Sequence, residues 1–368
     1  MSGEYDLVIV GGSISGASLL YTTAKFTDVE SIALIEKESE IAAIEPNVVE
    51  GRDPGTDLLA LQTPDGYVVD YGRTTKSFVE QAREESNVDV FTGTEVEDIT
   101  ETTEGYTLTT PEGPFDCEAA VVAAGSHSLQ IAKEMGYGEG MSLLPVAGSF
   151  FLADDFLNGK VYTLQMKKLP FAAVHGDADV HDDAITRFGP TAKLVPALER
   201  GEISTISDFF DVFGLNVDSF LSYANILADR ILLPYVLKNL VYDLPEVGKR
   251  AFLPHVQKVV PTAELDDIDR AKGYGGVRPQ IVDTENKTLD MGEAKITDDD
   301  VIFNITPSPG ASTSLKNAMR DTEHLVEALG DDYEFDKEGF RSATIENFPR
   351  AEEADAVDDA PKAPAQDD

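Results

Sequence analysis

The first forty residues constrain the fold more than any other part of the sequence. Leu7–Val10 is a short apolar run, which is typical of a strand buried on both faces of a parallel sheet. The turn Gly11-Gly-Ser-Ile-Ser-Gly16 follows, and the residues after it predict a helix that continues to about Phe26. A second apolar run at 31–35 predicts another strand, which ends at Glu36. Together these segments predict a β-α-β unit of about thirty residues.

The glycine-rich turn has the spacing of a dinucleotide-binding motif. Such a motif has glycine at its first, third and sixth positions, which are Gly11, Ser13 and Gly16 here. The N–H groups at a helix N-terminus bind phosphate, and an acid at the end of the next strand accepts hydrogen bonds from ribose hydroxyls. Glu36 stands 20 residues after Gly16, where that acid belongs. The segment predicts an adenine dinucleotide site, although the Cβ of Ser13 hinders the pyrophosphate; the alternative is a tight strand-to-helix turn without a ligand.

The rest of the chain alternates strand-like and helix-like segments. Residues 143–189 are strand-rich, 203–240 are helical in pattern, and Glu45-Pro46 is predicted to open a loop. Three β-like stretches between 88 and 110 suggest a meander. The individual predictions are strands at 67–70, 88–92, 96–100, 106–110, 119–124, 274–283 and 301–305, and helices at 74–85 and 312–329.

The charge of the chain excludes one large class of function. Its 29 Lys and Arg against 68 Asp and Glu give a net charge of −39, which argues against nucleic-acid binding because phosphate contacts need clustered cations. With 42% hydrophobic residues the chain still has material for a core. Molar salt reduces the Debye length to about 3 Å and screens this repulsion. We therefore interpret the chain as salt-adapted; the alternative is an ordinary acidic protein.

The cysteine count and the hydropathy pattern exclude further classes. A single cysteine, Cys117, excludes a disulfide framework, a cysteine-based zinc site and a cysteine-ligated iron–sulfur cluster. Redox chemistry would then need an organic cofactor. No uninterrupted apolar run of 18 residues occurs, and the N-terminus lacks the basic start of a signal peptide. These patterns predict a cytoplasmic protein without a transmembrane helix.

The order of the segments resembles one class of flavoproteins. An N-terminal nucleotide unit, a meander and a buried strand ending at Ala124-Gly125 resemble FAD proteins of the D-amino-acid-oxidase-like class, whose chains return to the flavin near the C-terminus. Here the segment from Asn304 to Ser314 joins a strand to a strong helix. A helix start places N–H donors where a reduced flavin gains negative charge. An ordinary capped helix start is the alternative.

Several motifs make the resemblance more specific. Ser308-Pro-Gly-Ala-Ser-Thr313 and Gly275-Gly-Val-Arg278-Pro resemble segments of the FAD-dependent malate:quinone oxidoreductases and of the related L-2-hydroxyglutarate oxidases. The runs Leu144-Pro-Val-Ala-Gly148, His175-Gly-Asp and Phe188-Gly-Pro190 continue the match in order. The resemblance extends from residue 5 to about 329. A long family segment between Glu36 and the Glu-Pro element is missing, since only 37–44 separate them here.

The resemblance implies an α/β fold with a Rossmann-like FAD-binding domain and a β-meander, plus an α+β substrate domain built on a mixed sheet. The implied FAD-binding domain comprises 1–45, 72–130 and 290–335, and the implied substrate domain comprises 46–71 and 131–289. Residues 350–368 are rich in acids, alanine and proline and are predicted to form a disordered tail.

The resemblance also implies roles for individual residues. Arg278 would clamp a substrate carboxylate with its planar donors. His175 would act as the base for the substrate 2-hydroxyl, because a neutral imidazole accepts a proton near pH 7. The alternatives are a structural ion pair for Arg278 and a structural role for His175. The residues implied to hold FAD are Gly11, Gly12, Ser13, Ser15, Gly16, Glu36, Val96, Gly125, Pro309, Gly310 and Ala311. No metal is implied, and the acidic loop around His181 is interpreted as solvated.

The implied reaction is oxidation of (S)-malate to oxaloacetate, a step of the tricarboxylic acid cycle, with electrons passed to a membrane quinone. A quinone acceptor implies peripheral contact with the inner face of the cell membrane. Segments 209–213 and 231–237 are candidates for that contact, or else part of a core. The alternative activities are oxidation of another L-2-hydroxy acid such as L-2-hydroxyglutarate, NAD-dependent dehydrogenation, and a shortened non-catalytic remnant that no longer retains FAD.

Overall fold

A computed structural model of the chain shows a mixed α/β protein. It describes residues 6–10, 19, 22–23, 27, 29, 32–35, 40–53, 56, 58–62, 68–85, 87–163, 174–182, 184–214, 217–228, 232–244, 246–272, 275–290, 294–305 and 310–345. The helices are α1 Glu40–Ile44, α2 Pro46–Val49, α3 Tyr71–Ala82, α4 His127–Glu134, α5 Thr205–Phe213, α6 Val217–Leu227, α7 Leu232–Val241, α8 Val247–Val259, α9 Ser314–Leu329 and α10 Lys337–Ile345. The strands are β1 Leu7–Val10, β2 Ile32–Ile35, β3 Asp98–Thr102, β4 Gly105–Thr109, β5 Phe115–Cys117, β6 Ala120–Val122, β7 Met141–Ala147, β8 Phe151–Asp154, β9 Val161–Tyr162, β10 His175–Ala178, β11 Ile185–Gly189, β12 Lys193–Leu194, β13 Ile268–Arg270, β14 Val277–Asp283, β15 Thr288–Asp290, β16 Lys295–Thr297 and β17 Val301–Asn304.

The chain divides into two compact units. The first comprises Met1–Glu80, Ala147–Lys193 and Leu233–Gly276, and the second comprises Gln81–Val146, Leu194–Leu232 and Val277–Asp368. This division differs from the predicted domain boundaries, which stay a prediction.

A five-stranded antiparallel sheet forms the centre of the first unit. Its strand order is β13-β8-β11-β10-β9. One face of the sheet packs on α8, where the rings of Phe151 and Phe252 stack with centroids 4.4 Å apart. Phe188 and Val256 are fully buried in the same core. The other face of β10 and β11 carries charged side chains, so the sheet has one apolar face and one charged face.

The second unit contains smaller sheets. The meander β3-β4-β5 is antiparallel throughout, and β16-β17-β6 includes a parallel pair, β17 with β6. The order β12-β7-β14-β15 forms a further sheet, most of whose residues belong to this unit. Leu129, Leu143 and Phe303 are fully buried in the hydrophobic core of this second unit.

Most of the predicted elements are confirmed within one to three residues. Strand β1 has the predicted bounds, and β2 runs parallel to it, as the β-α-β pattern predicts. The predicted strands at 119–124 and 301–305 are β6 and β17, and the predicted helix at 312–329 is α9. The predicted helix at 74–85 begins earlier, at Tyr71. The predicted acidic tail, and most of the predicted helix that follows Gly16, lie outside the described residues.

Three predictions about local structure were wrong. No strand forms at 88–92 or at 68–70. The residues from Glu45 begin a short helix, α2, instead of a loop, because Pro46 at its first position has the φ angle that a helix needs there. The Glu45 carboxylate accepts hydrogen bonds from the backbone N–H groups of Asn158 (3.0 Å) and Gly159 (2.6 Å). These bonds fix α2 against the loop after β8.

A half-buried histidine on α8, which contacts α7, predicts a pH-dependent stability. Burial, with help from Lys238 and Lys258, lowers the pKa of His255 to about 4. Its Nε2 accepts hydrogen bonds from Lys238 Nζ and from the Tyr242 hydroxyl, both at 2.9 Å. Between pH 6.5 and 4 the unfolded chain binds a proton at this residue that the folded chain does not. The free energy of unfolding should therefore fall as the pH falls through this window.

We expect a loss of about 1 kcal/mol between pH 7 and 5 from His255, after allowance for its partial exposure. Urea unfolding gives the free energy of unfolding of the wild type and of His255→Gln at pH 7 and pH 5. The contribution of His255 is the loss between the two pH values in the wild type minus the loss in the variant. Equal pH slopes for the two proteins would contradict the expectation.

Candidate active site

A parallel pair of strands brings two predicted flavin-binding segments to one sheet edge in the second unit. Strands β6 and β17 run parallel with Val122 opposite Phe303, so the chain leaves both strands at the same edge. Gly125 follows β6, and Gly310 and Ala311 follow β17. The structure therefore places the ends of the two strands that precede Gly125 and Gly310 at one sheet edge, and the joint contact of these glycines with FAD stays a prediction.

The turn at Gly125 fits a bound group. Gly125 has a φ angle of +59°, and apart from its chain neighbours no heavy atom of the described residues lies within 4 Å of the position that a Cβ would take. Ser128 Oγ accepts a hydrogen bond from the Ala124 N–H group (2.8 Å), which fixes the turn into α4. The 16-residue helix α9 begins at Ser314, and its N-cap residue Thr313 makes no side-chain cap hydrogen bond. A glycine turn after β6 and a helix start in the segment after β17 both suit an anionic dinucleotide such as FAD.

The other predicted cofactor residues fall into two groups. Val96 lies in the extended segment before β3 and is 38% exposed, and its contact with adenine stays a prediction. The residues outside the described part of the chain are Gly11, Gly12, Ser13, Ser15, Gly16, Glu36 and Pro309. Their roles also stay predictions.

The predicted base, His175, is the first residue of β10 in the first unit. It pairs with Gly189 on β11 and with Tyr162 on β9. The rings of His175 and Tyr162 have centroids 4.7 Å apart, and Lys160 Nζ lies 5.1 Å from the centre of the Tyr162 ring. The imidazole is half-buried, so one aromatic neighbour orients it while part of the ring stays accessible.

A buried ion cluster lies on the same face of this sheet. Arg187 on β11 stands opposite Asp177 on β10, and its Nη2 donates to Asp177 Oδ2 at 2.7 Å. Lys160 Nζ lies 3.7 Å from the same oxygen, and Arg187 Nε lies 3.5 Å from Asp179 Oδ2. The side chains of Asp177 and Asp179 are 3% and 1% exposed. Buried carboxylates need such compensation, because leaving an ion unpaired in the interior costs several kcal/mol.

The sequence interpretation missed this cluster, although a signal for it was available. In a strand, residues two apart share a face, so the motif His175-Gly-Asp177 places the imidazole and the carboxylate side by side. The partner of Asp177 could not be predicted, because the pairing of β10 with β11 depends on tertiary structure. Gly176 faces the core instead, where a Cβ would lie 2.4 Å from Leu157 Cδ1.

The predicted carboxylate clamp, Arg278, is the second residue of β14 in the second unit. It is half-buried and engaged in polar contacts, and it shares its strand face with Gln280, which is 5% exposed. The following Pro279 is accommodated inside the strand and is buried. His175 and Arg278 belong to different units, and their joint contact with a substrate stays a prediction.

Comparison with known proteins gives the family. A sequence model described as malate:quinone oxidoreductase matches residues 5–334. A probable malate:quinone oxidoreductase of Helicobacter acinonychis is 40% identical over 307 residues, which are 81% of this chain and 68% of that relative. The mitochondrial L-2-hydroxyglutarate dehydrogenase of Caenorhabditis elegans is 24% identical over 343 residues, 88% of this chain and 73% of that relative.

Among solved structures, the glycine oxidase of Geobacillus kaustophilus is similar with a TM-score of 0.42 and 16% identity, and the match covers 92% of this chain and 74% of that one. The family assignment rests on the sequence matches, since the first of them spans most of the chain. The chain belongs to the malate:quinone oxidoreductase family of FAD-dependent enzymes.

Proposed function

We propose that this protein oxidises (S)-malate to oxaloacetate with FAD and delivers the electrons to a quinone. The match of residues 5–334 to the family carries this proposal. The overall reaction removes a hydride from C2 of malate and a proton from its 2-hydroxyl, and the quinone takes up two electrons and two protons. When bound, FAD supplies the acceptor for the hydride and the relay to the quinone.

The chain's own residues would supply binding and proton transfer. The guanidinium of Arg278 has the planar donors that bind a carboxylate in a bidentate manner, which fixes the orientation of C2. The imidazole of His175 would accept the hydroxyl proton as the hydride departs. The backbone amides near Gly125, Gly310 and Ala311 would hold the anionic parts of the cofactor. Anaerobic addition of L-malate to the FAD-loaded protein tests the proposal, since it should bleach the visible flavin band.

A second candidate is oxidation of L-2-hydroxyglutarate. The similarity to L-2-hydroxyglutarate dehydrogenase over 88% of the chain favours it. The two substrates differ by one methylene, for which a binding site discriminates by about 1–3 kcal/mol. Assays of both acids with a soluble quinone analogue should give the higher kcat/KM for malate; the reverse order would select this second candidate.

A rival of another class is a remnant that no longer binds FAD. The short connection after Glu36 and the 68% coverage of the Helicobacter relative motivate it. Purified protein that stays colourless after FAD is added in molar KCl would favour this rival over catalysis.

The net charge of −39 leads to the proposal that the protein is adapted to high salt. Raising the salt from 0.1 M to 1 M shortens the Debye length from about 10 Å to about 3 Å and weakens the repulsion among surface carboxylates. We expect the midpoint of thermal unfolding to rise by about 10 °C or more between dilute buffer and molar KCl. Sucrose at equal osmolality, which does not screen charge, is the control. Full stability in dilute buffer would contradict the proposal.

We also propose a cytoplasmic location with peripheral contact to the membrane that holds the quinone. No helix in the described part of the chain has the length and apolarity that a membrane crossing requires. In the first candidate segment, Phe209 and Val212 are buried in the core of the second unit and are unsuited to docking. On α7, by contrast, Leu233, Leu237 and Leu240 are 41%, 54% and 47% exposed, at a spacing that places them on one helix face.

Cosedimentation with phosphatidylcholine vesicles in molar KCl tests this contact. We expect the wild type to bind. The affinity of the double variant Leu233→Ser, Leu237→Ser should be lower by about tenfold or more, because burial of each leucine side chain contributes about 1.5–3 kcal/mol to binding. The matched control is Leu59→Ser, which removes a leucine that is 90% exposed elsewhere in the same unit. Equal binding by all three proteins would exclude α7 as the docking surface.

A further inference from the structure

The polar face around His175 contains unpaired hydrogen-bonding capacity. Within the described residues, the buried side-chain atoms without a hydrogen-bond partner are Asp70 Oδ2, Asp177 Oδ1, Asp179 Oδ2 and Arg187 Nε. Two of them, Arg187 Nε and Asp179 Oδ2, face each other at 3.5 Å, and Asp70 Oδ2 lies 3.5 Å from His181 Nδ1. The remaining atom, Asp177 Oδ1, has neither a hydrogen-bond donor nor one of these oppositely charged neighbours among the described residues. A buried acceptor without a protein donor is rare in a native protein and calls for a partner, such as a water molecule or a nearby side chain.

The strand geometry places one candidate partner, the imidazole of His175, beside Asp177. His175 and Asp177 are two residues apart on β10 and project from the same face, with Cα atoms about 7 Å apart. The other oxygen of the carboxylate, Oδ2, is fixed by Arg187 and Lys160. Because that end is anchored, the carboxylate cannot turn freely, and Oδ1 is the oxygen left for a neighbour along the strand.

We propose that Asp177 is the positioning residue for His175: its Oδ1 accepts a hydrogen bond from one ring nitrogen, directly or through one water molecule, and leaves the other nitrogen to take the substrate proton. This inference rests on the proposed function. A carboxylate in this position fixes the tautomer and the orientation of an imidazole and stabilises its protonated form. Such hydrogen bonds are often open in the free enzyme and close only when substrate binds.

Other charged groups on this face act on His175 as well. Lys160 lies over the Tyr162 ring, which packs at a tilt against His175, so its positive charge opposes protonation of the imidazole, whereas the charge of Asp177 favours it. Arg187 stands diagonally across from His175 and is neutralised by its two carboxylates. The titratable and charged groups described on this face or beside it are Tyr162 and Lys160, Asp177 and Asp179, Arg187, His181 with Asp70, and Asp154 and Asp269 on the outer strands.

The test compares Asp177→Asn with Asp179→Asn. Asp179 is a matched control, since it is equally buried and contacts the same arginine but stands two residues farther from His175. We expect Asp177→Asn to lower kcat for malate about 100-fold with KM within about twofold, because an amide can hold the wrong tautomer. The acid limb of its kcat/KM profile should move to lower pH by about one unit, since His175 loses a nearby negative charge. Asp179→Asn should keep the wild-type profile.

A second readout does not depend on turnover. Nitrogen NMR of 15N-histidine-labelled protein reports the tautomer and titration of each imidazole, and His175→Gln assigns the signal. In the wild type we expect one dominant tautomer of His175, and in Asp177→Asn a mixture with a lower titration midpoint. This measurement on the wild type also covers the case in which Asp177→Asn fails to fold.

Identical pH profiles and identical His175 titrations in the two variants would overturn the inference and leave Asp177 as a structural partner of Arg187. A wild type that does not oxidise malate, but whose His175 titration shifts only in Asp177→Asn, would instead reject the proposed function and retain the pairing. The two failures are therefore distinguishable.

Discussion

Replacing His175 by glutamine should lower kcat for malate oxidation by about 10²–10⁴-fold, because the amide cannot accept the hydroxyl proton as the hydride leaves. The side chain is half-buried at the start of β10, and glutamine has a similar length, so the fold should be preserved. FAD content and chemical reduction by dithionite should match the wild type, which separates loss of proton transfer from loss of the cofactor. Stopped-flow measurement of flavin reduction by malate gives the effect directly.

The control for this substitution is His181→Gln, which changes a histidine on the loop after the same strand whose side chain is 63% exposed. It should reduce flavin at the wild-type rate. A His175→Gln protein that keeps wild-type kcat across the pH range would remove His175 from the mechanism and leave it as a packing partner of Tyr162.

The second large effect is expected at Arg278. Removal of a bidentate guanidinium leaves the substrate carboxylate with one uncompensated charge, and each charge-assisted hydrogen bond contributes about 1.5–3 kcal/mol. Arg278→Met should therefore reduce kcat/KM for malate by about 10²–10⁴-fold, mainly through a higher KM. Arg278→Lys should recover only part of the loss, because an ammonium group lacks the planar pair of donors.

Arg270→Met provides a matched comparison for Arg278→Met. Arg270 on β13 is an arginine with a structural role, since its Nη2 donates to Asp243 Oδ1 at 2.6 Å. Its removal should lower stability and leave KM for malate unchanged. Equal KM values in Arg278→Met and the wild type would show that Arg278 is only a structural ion pair.

The local sequence pattern was sufficient to predict secondary structure where a segment's own residues determine it. Leu7–Val10 and 301–305 are continuous apolar runs, and each forms a strand in a parallel pair. The alternation of residues 98–109 was sufficient to predict two strands of the meander. Helix α9 was predictable because its apolar residues recur at helical spacing.

The errors arose where the outcome depends on distant partners. Val88, Val90 and Phe91 have strong β-propensity, but no strand among the described residues pairs with them. Phe91 packs edge-on against Phe115 at 5.0 Å, and Arg83 donates to the Val90 carbonyl oxygen at 3.2 Å. Strand β5, which contains Phe115, was not predicted because three residues are too short for a periodic signal.

The candidate site shows the same limit. The candidate substrate-contacting residues His175 and Arg278 were identified through motifs that resemble those of the malate:quinone oxidoreductases. The charged residues beside His175 were missed, because the pairing of Asp177 with Arg187 depends on the register of β10 against β11. Sequence spacing within one strand indicates a shared face, but the opposite strand supplies the countercharge.

The central claim is that this chain binds FAD and reduces it with malate. The most direct test is a visible absorption spectrum of the purified protein, reconstituted with FAD in molar KCl and freed of excess cofactor, before and after anaerobic addition of L-malate. We predict a yellow protein whose flavin band bleaches with L-malate and returns when a quinone analogue is added. A colourless protein, or a flavin band that L-malate leaves unchanged while dithionite bleaches it, would contradict the claim.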